Sequence, residues 1–239
     1  MSTVASQVKN RIYSFQVGKV ITYDDFKDIP NMQAVALFLS RLVRANILKK
    51  LGRGKYYVPQ ETKFGSVGPS DGEIIKLIIN EVGGGYITGP SVYNALGLTT
   101  QVASRITIVG NKYPRKTKIG NMKIRYVKAK FPIIQEDVYL LQLLDAIKDI
   151  QKIMDTTVNE SIEKIKAKIK KLDENQISKF IDYAAKYYRP YVRATLGAIM
   201  DEFNNPKAKL LRETLTPLTV FKIGFSDKVL PKKNNWNFV

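Results

Sequence analysis

Between Asn31 and Pro59 the chain reads NMQAVALFLSRLVRANILKKLGRGKYYVP, and its apolar positions change period partway along. Val35, Phe38, Leu39, Leu42 and Val43 recur at spacings of three and four, which predicts a helix over Met32–Asn46 with one buried face. Gln33, Arg41 and Arg44 fall off that face. Ile47 to Leu51 and Lys55 to Val58 then predict two short strands around a Gly52-Arg53-Gly54 turn. Upstream, Val4, Val8, Ile12 and Phe15 share a face of a helix over Thr3–Gln16 that Gly18 stops. Lys19-Val20-Ile21 is extended, and Thr22 caps a brief helical turn holding Asp24, Asp25 and Phe26. Asn31 caps the next helix. The resulting order is helix, strand, helix, turn, helix and hairpin, that of a winged helix-turn-helix with Met32–Asn46 in the recognition position.

A second module is expected from about Gly68. Ser70 and Glu73 stand three apart ahead of the run Ile74, Ile75, Leu77, Ile78 and Ile79, a capping-box spacing. Gly83-Gly84-Gly85 follows this helix rather than a strand, and Gly89 precedes Pro90 rather than Lys-Ser/Thr. A flexible turn therefore fits better than a phosphate loop. Val92–Leu96 is a short helix ended by Gly97. ITIVG, a polar turn and then KIRYVKAKF predict mostly extended chain over Arg105–Lys130, with apolar and cationic side chains alternating. Four amphipathic helices are expected beyond that, over Asp137–Met154, Asn159–Leu172, Glu174–Tyr188 and Pro190–Phe203. Asp173 would cap the third and Pro190 would open the fourth. One short strand and an irregular tail would close the chain. The expected fold class is thus α+β: a winged helix-turn-helix over 1–62, then a domain over 63–239 that is mixed α/β to 130 and mainly helical from 131.

Composition narrows the chemistry. The 239 residues are 44% hydrophobic and 25% charged, enough to bury a core. No apolar run reaches the roughly 18–20 residues of a membrane span, and MSTVASQVKN lacks a signal-peptide core, so a cytoplasmic protein with no membrane association is expected. With no cysteine and no histidine, the chain has no disulfide framework, zinc site of Cys/His type, Cys nucleophile or Ser-His-Asp triad. No cofactor or metal is expected, and not an enzyme. Asp182, Asp201 and Glu202 are the acids one would consider for a metal, with nothing in the sequence to bring them together.

The net charge of +18 is concentrated in two blocks. Residues 1–60 hold ten Lys/Arg against three Asp, and residues 105–130 hold nine Lys/Arg and no acid. Such density favours a polyanionic partner through counterion release. The DNA-contact candidates are Gln33, whose amide could pair with adenine, Asn31, which could do so if it is not used up as a cap, Arg41 and Arg44 for phosphates, and Lys49, Lys50, Arg53 and Lys55 along the wing. The basic block at 105–130 would meet either nucleic acid or an acidic protein. In SIEKIKAKIKKL the lysines form a solvated helix face, and Tyr183, Tyr187, Tyr188 and Tyr191 are expected to pack rather than to stack on bases.

LSRLVRANILKKLGRGKYYVP, then FGSVGPS, then GYITGPSVYNALGLTTQVASR together resemble the AbiEi-type antitoxins of bacterial type IV toxin–antitoxin systems, which act in abortive infection as a phage defence. The likeness covers roughly residues 1–130. It implies an antitoxin and autoregulatory transcriptional repressor that binds its own promoter as double-stranded DNA and opposes a nucleotidyltransferase-like toxin without a stable complex. On this chain the motif's polar members are Thr88, Tyr93, Asn94, Thr99, Thr100 and Gln101, some of which would serve only to cap helices or satisfy backbone. A transcription regulator with a ligand-sensing or dimerising C-terminal domain, and an enzyme acting on nucleotides or nucleic acid, are the competing expectations.

Overall fold

The computed structural model describes residues 3–63, 65–111 and 114–239. Phe64 of the FGSVGPS segment, and Lys112 and Tyr113 of the polar turn in the basic block, lie outside these. The described chain is α+β, and its contacts divide it into two units. The first comprises the residues through Val82 together with Thr117–Lys123; the second comprises Gly83–Lys116 and Ile124–Val239. Where a boundary after residue 62 was expected, the break in packing comes after Val82.

In the first unit, α1 (Val4–Ser14) is capped by Thr3, whose Oγ1 accepts the Ser6 N–H at 3.2 Å, and it buries Val8 and Ile12. It stops two residues short of the expected Gln16, because Phe15 is already extended. β1 (Val20–Thr22) leads into a single 3-10 turn over Tyr23–Phe26, where Asp25 Oδ2 accepts the Thr22 N–H at 2.8 Å. Then come α2 (Met32–Arg44), β2 (Lys49–Gly52) and β3 (Lys55–Tyr57). α2 ends before Asn46, which is left-handed at φ +59°. There the Asn46 N–H donates to Val43 O at 3.1 Å and the Ile47 N–H to Leu42 O at 3.0 Å, a Schellman closure. The strands form one antiparallel sheet in the order β1-β3-β2, with Ile21 and Lys50 both opposite Tyr56. Val8, Ile12, Ile21, Phe26, Leu39 and Leu48 are among the side chains buried between helices and sheet.

A small hairpin, β4 (Gln60–Thr62) and β5 (Gly65–Val67), follows. Its three-residue strands are too short and polar to show a period. α3 (Asp71–Glu81) starts at Ser70, whose Oγ accepts the Glu73 N–H at 3.2 Å. The Glu73 carboxylate turns instead to Lys76 at 3.1 Å, so only half of the capping box forms.

A four-stranded sheet in the order β6-β7-β9-β8 is made of β6 (Gly85–Thr88), β7 (Ile106–Gly110), β8 (Arg115–Ile119) and β9 (Met122–Lys128); β6, β7 and β9 from Ile124 on belong to the second unit, whereas Thr117–Lys123 counts with the first. β7 runs antiparallel to β6 and parallel to β9. Gly83 and Gly84 make the expected turn with φ +70° and +84°, but Gly85 already belongs to β6 and pairs with Gly110. β8 occupies much of what read as a polar turn, because RKTKI has too little apolar content to signal a strand. α4 (Pro90–Ala95) begins two residues earlier than expected, with Pro90 at its first position.

α5 (Val138–Lys148), α6 (Val158–Ile169), α7 (Glu174–Tyr187) and α8 (Pro190–Glu202) are the four expected helices. The first is shorter than Asp137–Met154, giving way to a 3-10 turn at Ile150–Lys152. Asp173 caps α7, accepting the Gln176 N–H at 2.8 Å. On α6 Lys164 is exposed and donates to Gly97 O at 2.8 Å and Lys168 is half-buried, whereas Lys166 is buried between Glu202 at 2.7 Å and Glu163 at 3.0 Å and donates to Val229 O at 2.9 Å. A short α9 (Ala208–Arg212) precedes a tail that holds a 3-10 turn at Lys233–Trp236 and, in place of the expected strand, a Phe221–Phe238 bridge. Among the described residues no helix is long and apolar enough to cross a membrane.

Candidate nucleic-acid interface

α2 separates its residues cleanly. Val35, Leu39 and Leu42 are buried, while Gln33, Leu37, Arg41 and Arg44, spaced four, four and three apart, form an exposed stripe. Leu37 is 56% exposed on that stripe, an apolar side chain among polar ones that the periodicity does not require. Beside α2 in sequence, the β2–β3 hairpin exposes Lys50 and Arg53, with Lys49 half-buried. Gly54 holds the hairpin turn at φ +67°, and a Cβ there would stand 3.2 Å from the Tyr23 ring, so the turn is closed on both conformational and steric grounds.

Among the described residues Arg41, Arg44, Lys49, Lys50 and Arg53 have no hydrogen-bond or ion-pair partner. Lys55 differs: it pairs with Glu81 of α3 at 2.7 Å, with both side chains largely covered. It was expected on an acid-free wing, but Glu81 lies 26 positions along the chain and only folding brings it near. Asn31 is also committed, since its Oδ1 accepts the Ala34 N–H at 2.9 Å. A bidentate contact to adenine needs that oxygen free, so Gln33 alone retains amide-reading geometry here.

The polar motif residues of the second unit all have internal partners. Thr88 donates to Asp145 Oδ2 at 2.7 Å, and Tyr93 donates to Asp149 Oδ2 at 2.8 Å and to the Asp145 carbonyl at 3.0 Å. Asn94 donates to Thr99 O at 3.2 Å, and Thr99 Oγ1 accepts the Gln101 N–H at 3.2 Å. Thr100 and Gln101 reach Asp155 at 3.4 and 3.3 Å. They thus tie β6 and the α4–β7 loop to α5 and the segment after it.

Asp145 is the centre of this network. It is buried, accepts from Tyr86 at 2.9 Å and Tyr188 at 3.2 Å besides Thr88, and pairs with Lys148. The sequence carried a signal for it: an acid inside the run LeuLeuAspAlaIle, at a position whose neighbours on both sides are buried. The tyrosines pack as expected, with Phe131 at 6.0 Å from Tyr183, 5.2 Å from Tyr187 and 6.1 Å from Tyr188. The three acids considered for a metal have other partners: Asp182 pairs with Lys186, Asp201 with Lys232, and Glu202 with Lys166. Among the described residues no acidic cluster could hold a metal ion.

Burial, and then the nearby carboxylates, push the phenols of Tyr86, Tyr93 and Tyr188 far above the ordinary tyrosine range. Burial and the hydrogen bond to Asp137 hold Tyr183 up to about 12. A pKa raised by folding contributes stability in full below the unfolded value near 10 and loses it as pH rises through the folded value. In alkaline titration followed by phenolate absorbance, these buried phenols should ionise only in a cooperative step that coincides with unfolding by circular dichroism. A single smooth titration of all tyrosines in the folded protein would contradict this network.

No curated protein matches the chain. The model of DUF6088, a family of unknown function, matches residues 7–177, from α1 into α7. That span is more than half of the 239 residues, and the chain belongs to the DUF6088 family.

Proposed function

We propose that the first unit is a winged helix-turn-helix that binds duplex promoter DNA, and that the protein is a cytoplasmic antitoxin and autoregulatory repressor opposing a nucleotidyltransferase-like toxin. It acts by binding and not as an enzyme. The observation that carries the DNA half is the exposed stripe Gln33–Leu37–Arg41–Arg44 on α2, next to a hairpin whose Lys50 and Arg53 are unpaired among the described residues. In this reading Gln33 meets an adenine edge and Leu37 a thymine methyl in the major groove, while Arg41 and Arg44 meet phosphates. The wing adds Lys49, Lys50 and Arg53 along the backbone, and Lys55 holds the wing to α3.

The antitoxin half is supported by the resemblance of the GYITGPSVYNALGLTTQVASR segment. Because its polar residues have partners inside the second unit, they serve this role by shaping that unit. A second reading, a regulator whose second unit senses a ligand, is favoured by a basic, aromatic cleft in that unit.

Full-length protein should shift its own upstream DNA, with affinity falling steeply as salt rises. The triple charge reversal Lys49→Glu, Lys50→Glu, Arg53→Glu should lower the salt slope by about three and weaken binding to every sequence. Gln33→Ala should mainly relax sequence preference, by about 1–3 kcal/mol at one base pair. Wild-type affinity in the triple variant would sink the wing assignment. Co-expression with the neighbouring toxin gene tests the other half: the triple variant should lose repression yet still rescue growth.

A further inference from the structure

Tyr86, Asp145 and the α7–α8 junction border a cleft of about 330 Å3 in the second unit that DNA binding does not use. Its walls come from the C-terminal end of β9, the last turn of α5 and the start of α8. Five cations line it: Lys128, Lys130, Lys148, Lys152 and Arg189. Two carboxylates, Asp145 and Asp149, stand against them, and both are already engaged from the inner side. Asp145 accepts from Tyr86, Thr88 and Tyr188, and Asp149 accepts from Tyr93 at 2.8 Å. Lys148 and Lys152 are the cations that pair with these acids. Lys130 and Arg189 are exposed and have no partner among the described residues. The mouth of the cleft is therefore strongly positive.

The opposite wall is aromatic. Phe131 lies 5.2 Å from Tyr187 and 6.1 Å from Tyr188, and Tyr187, which also packs 6.2 Å from Tyr183, is 39% exposed, so part of this aromatic wall remains accessible to a planar group. The scaffold is preformed: the Tyr191 hydroxyl donates to the Lys148 carbonyl at 2.7 Å and ties the start of α8 to the end of α5. The volume is that of a small-ligand site. A free phosphate would leave the aromatic wall unused, and an acidic peptide would need a longer, open groove.

We propose that this cleft binds a mononucleotide, its phosphates held by Lys130, Arg189 and the neighbouring lysines and its base laid against Tyr187. Such a site combines the charge-assisted hydrogen bonds that phosphates take from Arg and Lys with the stacking that any base can use. The inference does not depend on the first unit binding DNA.

Isothermal titration of the full-length chain with ATP, GTP and AMP tests it, with adenosine and inorganic phosphate as partial probes. At least one nucleotide should bind at a single site, with adenosine and phosphate each about tenfold or more weaker, the scale of one lost charge-assisted interaction. Lys130→Glu with Arg189→Glu should weaken the nucleotide about tenfold or more, while the triple charge reversal of Lys49, Lys50 and Arg53 leaves it unchanged. If circular dichroism shows that the double variant does not fold, Lys130→Glu alone, at an exposed position, should give a weakening in the same direction. The proposal is overturned by no saturable binding of any of the three nucleotides at millimolar concentration. Equal affinity for phosphate and nucleotide also overturns it, as does loss in the hairpin variant with the cleft variant unaffected. Preference for single-stranded RNA with no mononucleotide binding would assign the cleft to a nucleic-acid surface and overturn it as well. Because separate variants report on cleft and wing, failure of one reading is visible apart from the other.

Discussion

Asp145→Ala is expected to destabilise the second unit by about 2–5 kcal/mol, because it leaves two or more buried hydroxyls without their acceptor. The side chain accepts from three hydroxyls, those of Tyr86, Thr88 and Tyr188, and pairs with Lys148. Tyr86 is 2% exposed and Thr88 6%, so both hydroxyls lose their acceptor in a largely buried setting. An unsatisfied buried donor costs about 1–3 kcal/mol. Lys148 contributes little to the loss, since its side chain is 37% exposed and can be solvated. Asp145→Asn keeps the shape and one acceptor oxygen, so its cost should be about half. Urea unfolding followed by circular dichroism measures both variants. A loss below about 1 kcal/mol for Asp145→Ala, the scale of one ordinary hydrogen bond, would show that the network is not held by this carboxylate. Against a typical stability of about 5–15 kcal/mol, the expected loss leaves little margin.

Gly197→Ala should be nearly as damaging, although alanine is the better helix former. Gly197 lies inside α8, where replacing glycine ordinarily gains about 1 kcal/mol. Here a Cβ would fall 2.0 Å from Cζ3 and 2.2 Å from Cη2 of Trp236, a separation no packing tolerates. The indole is 3% exposed, and its Nε1–H donates to Asp201 at 3.3 Å. It cannot shift without leaving its site, and a lost core tryptophan costs about 3–5 kcal/mol. The net expectation is a loss of about 2–4 kcal/mol, with the C-terminal tail released from α8. As the chain has one tryptophan, its emission reports the event directly: a red shift under native conditions and a lower urea midpoint. Unchanged emission with raised stability would mean that the tail yields without cost.

Local reading went furthest where local forces decide. The period of Val35, Leu39 and Leu42, the caps at Asn31, Ser70 and Asp173, and the glycine at the hairpin turn all placed elements to within a few residues. Each depends on side chains within four or five positions, where helix period, capping and turn chemistry act. The same reading missed β4, β5, β6 and β8. Short strands such as RKTKI carry no periodic signal and exist because a neighbouring strand offers its free backbone groups.

The candidate site divides along the same line. Gln33, Arg41, Arg44, Lys50 and Arg53 were legible as exposed because their helix and hairpin were legible. Two other candidates are engaged: Asn31, though exposed, serves as the α2 cap that its position predicts, and Lys55 is neutralised by Glu81, which the sequence did not suggest. Likewise, Thr88 and Tyr93 stood out in the motif, but the carboxylates they serve lie 57 and 56 positions away.

The sequence by itself determined the α+β class, the order of the principal elements, the absence of Cys and His chemistry, and the two basic blocks. Only the tertiary structure decided which charges stay free, that Asp145 gathers the motif's hydroxyls, and that Gly197 makes room for Trp236. The physical reason is range. Propensity, capping and periodicity act over one or two turns of chain, whereas a buried carboxylate or a packed indole acquires its partners only when the path of the whole chain brings distant residues together.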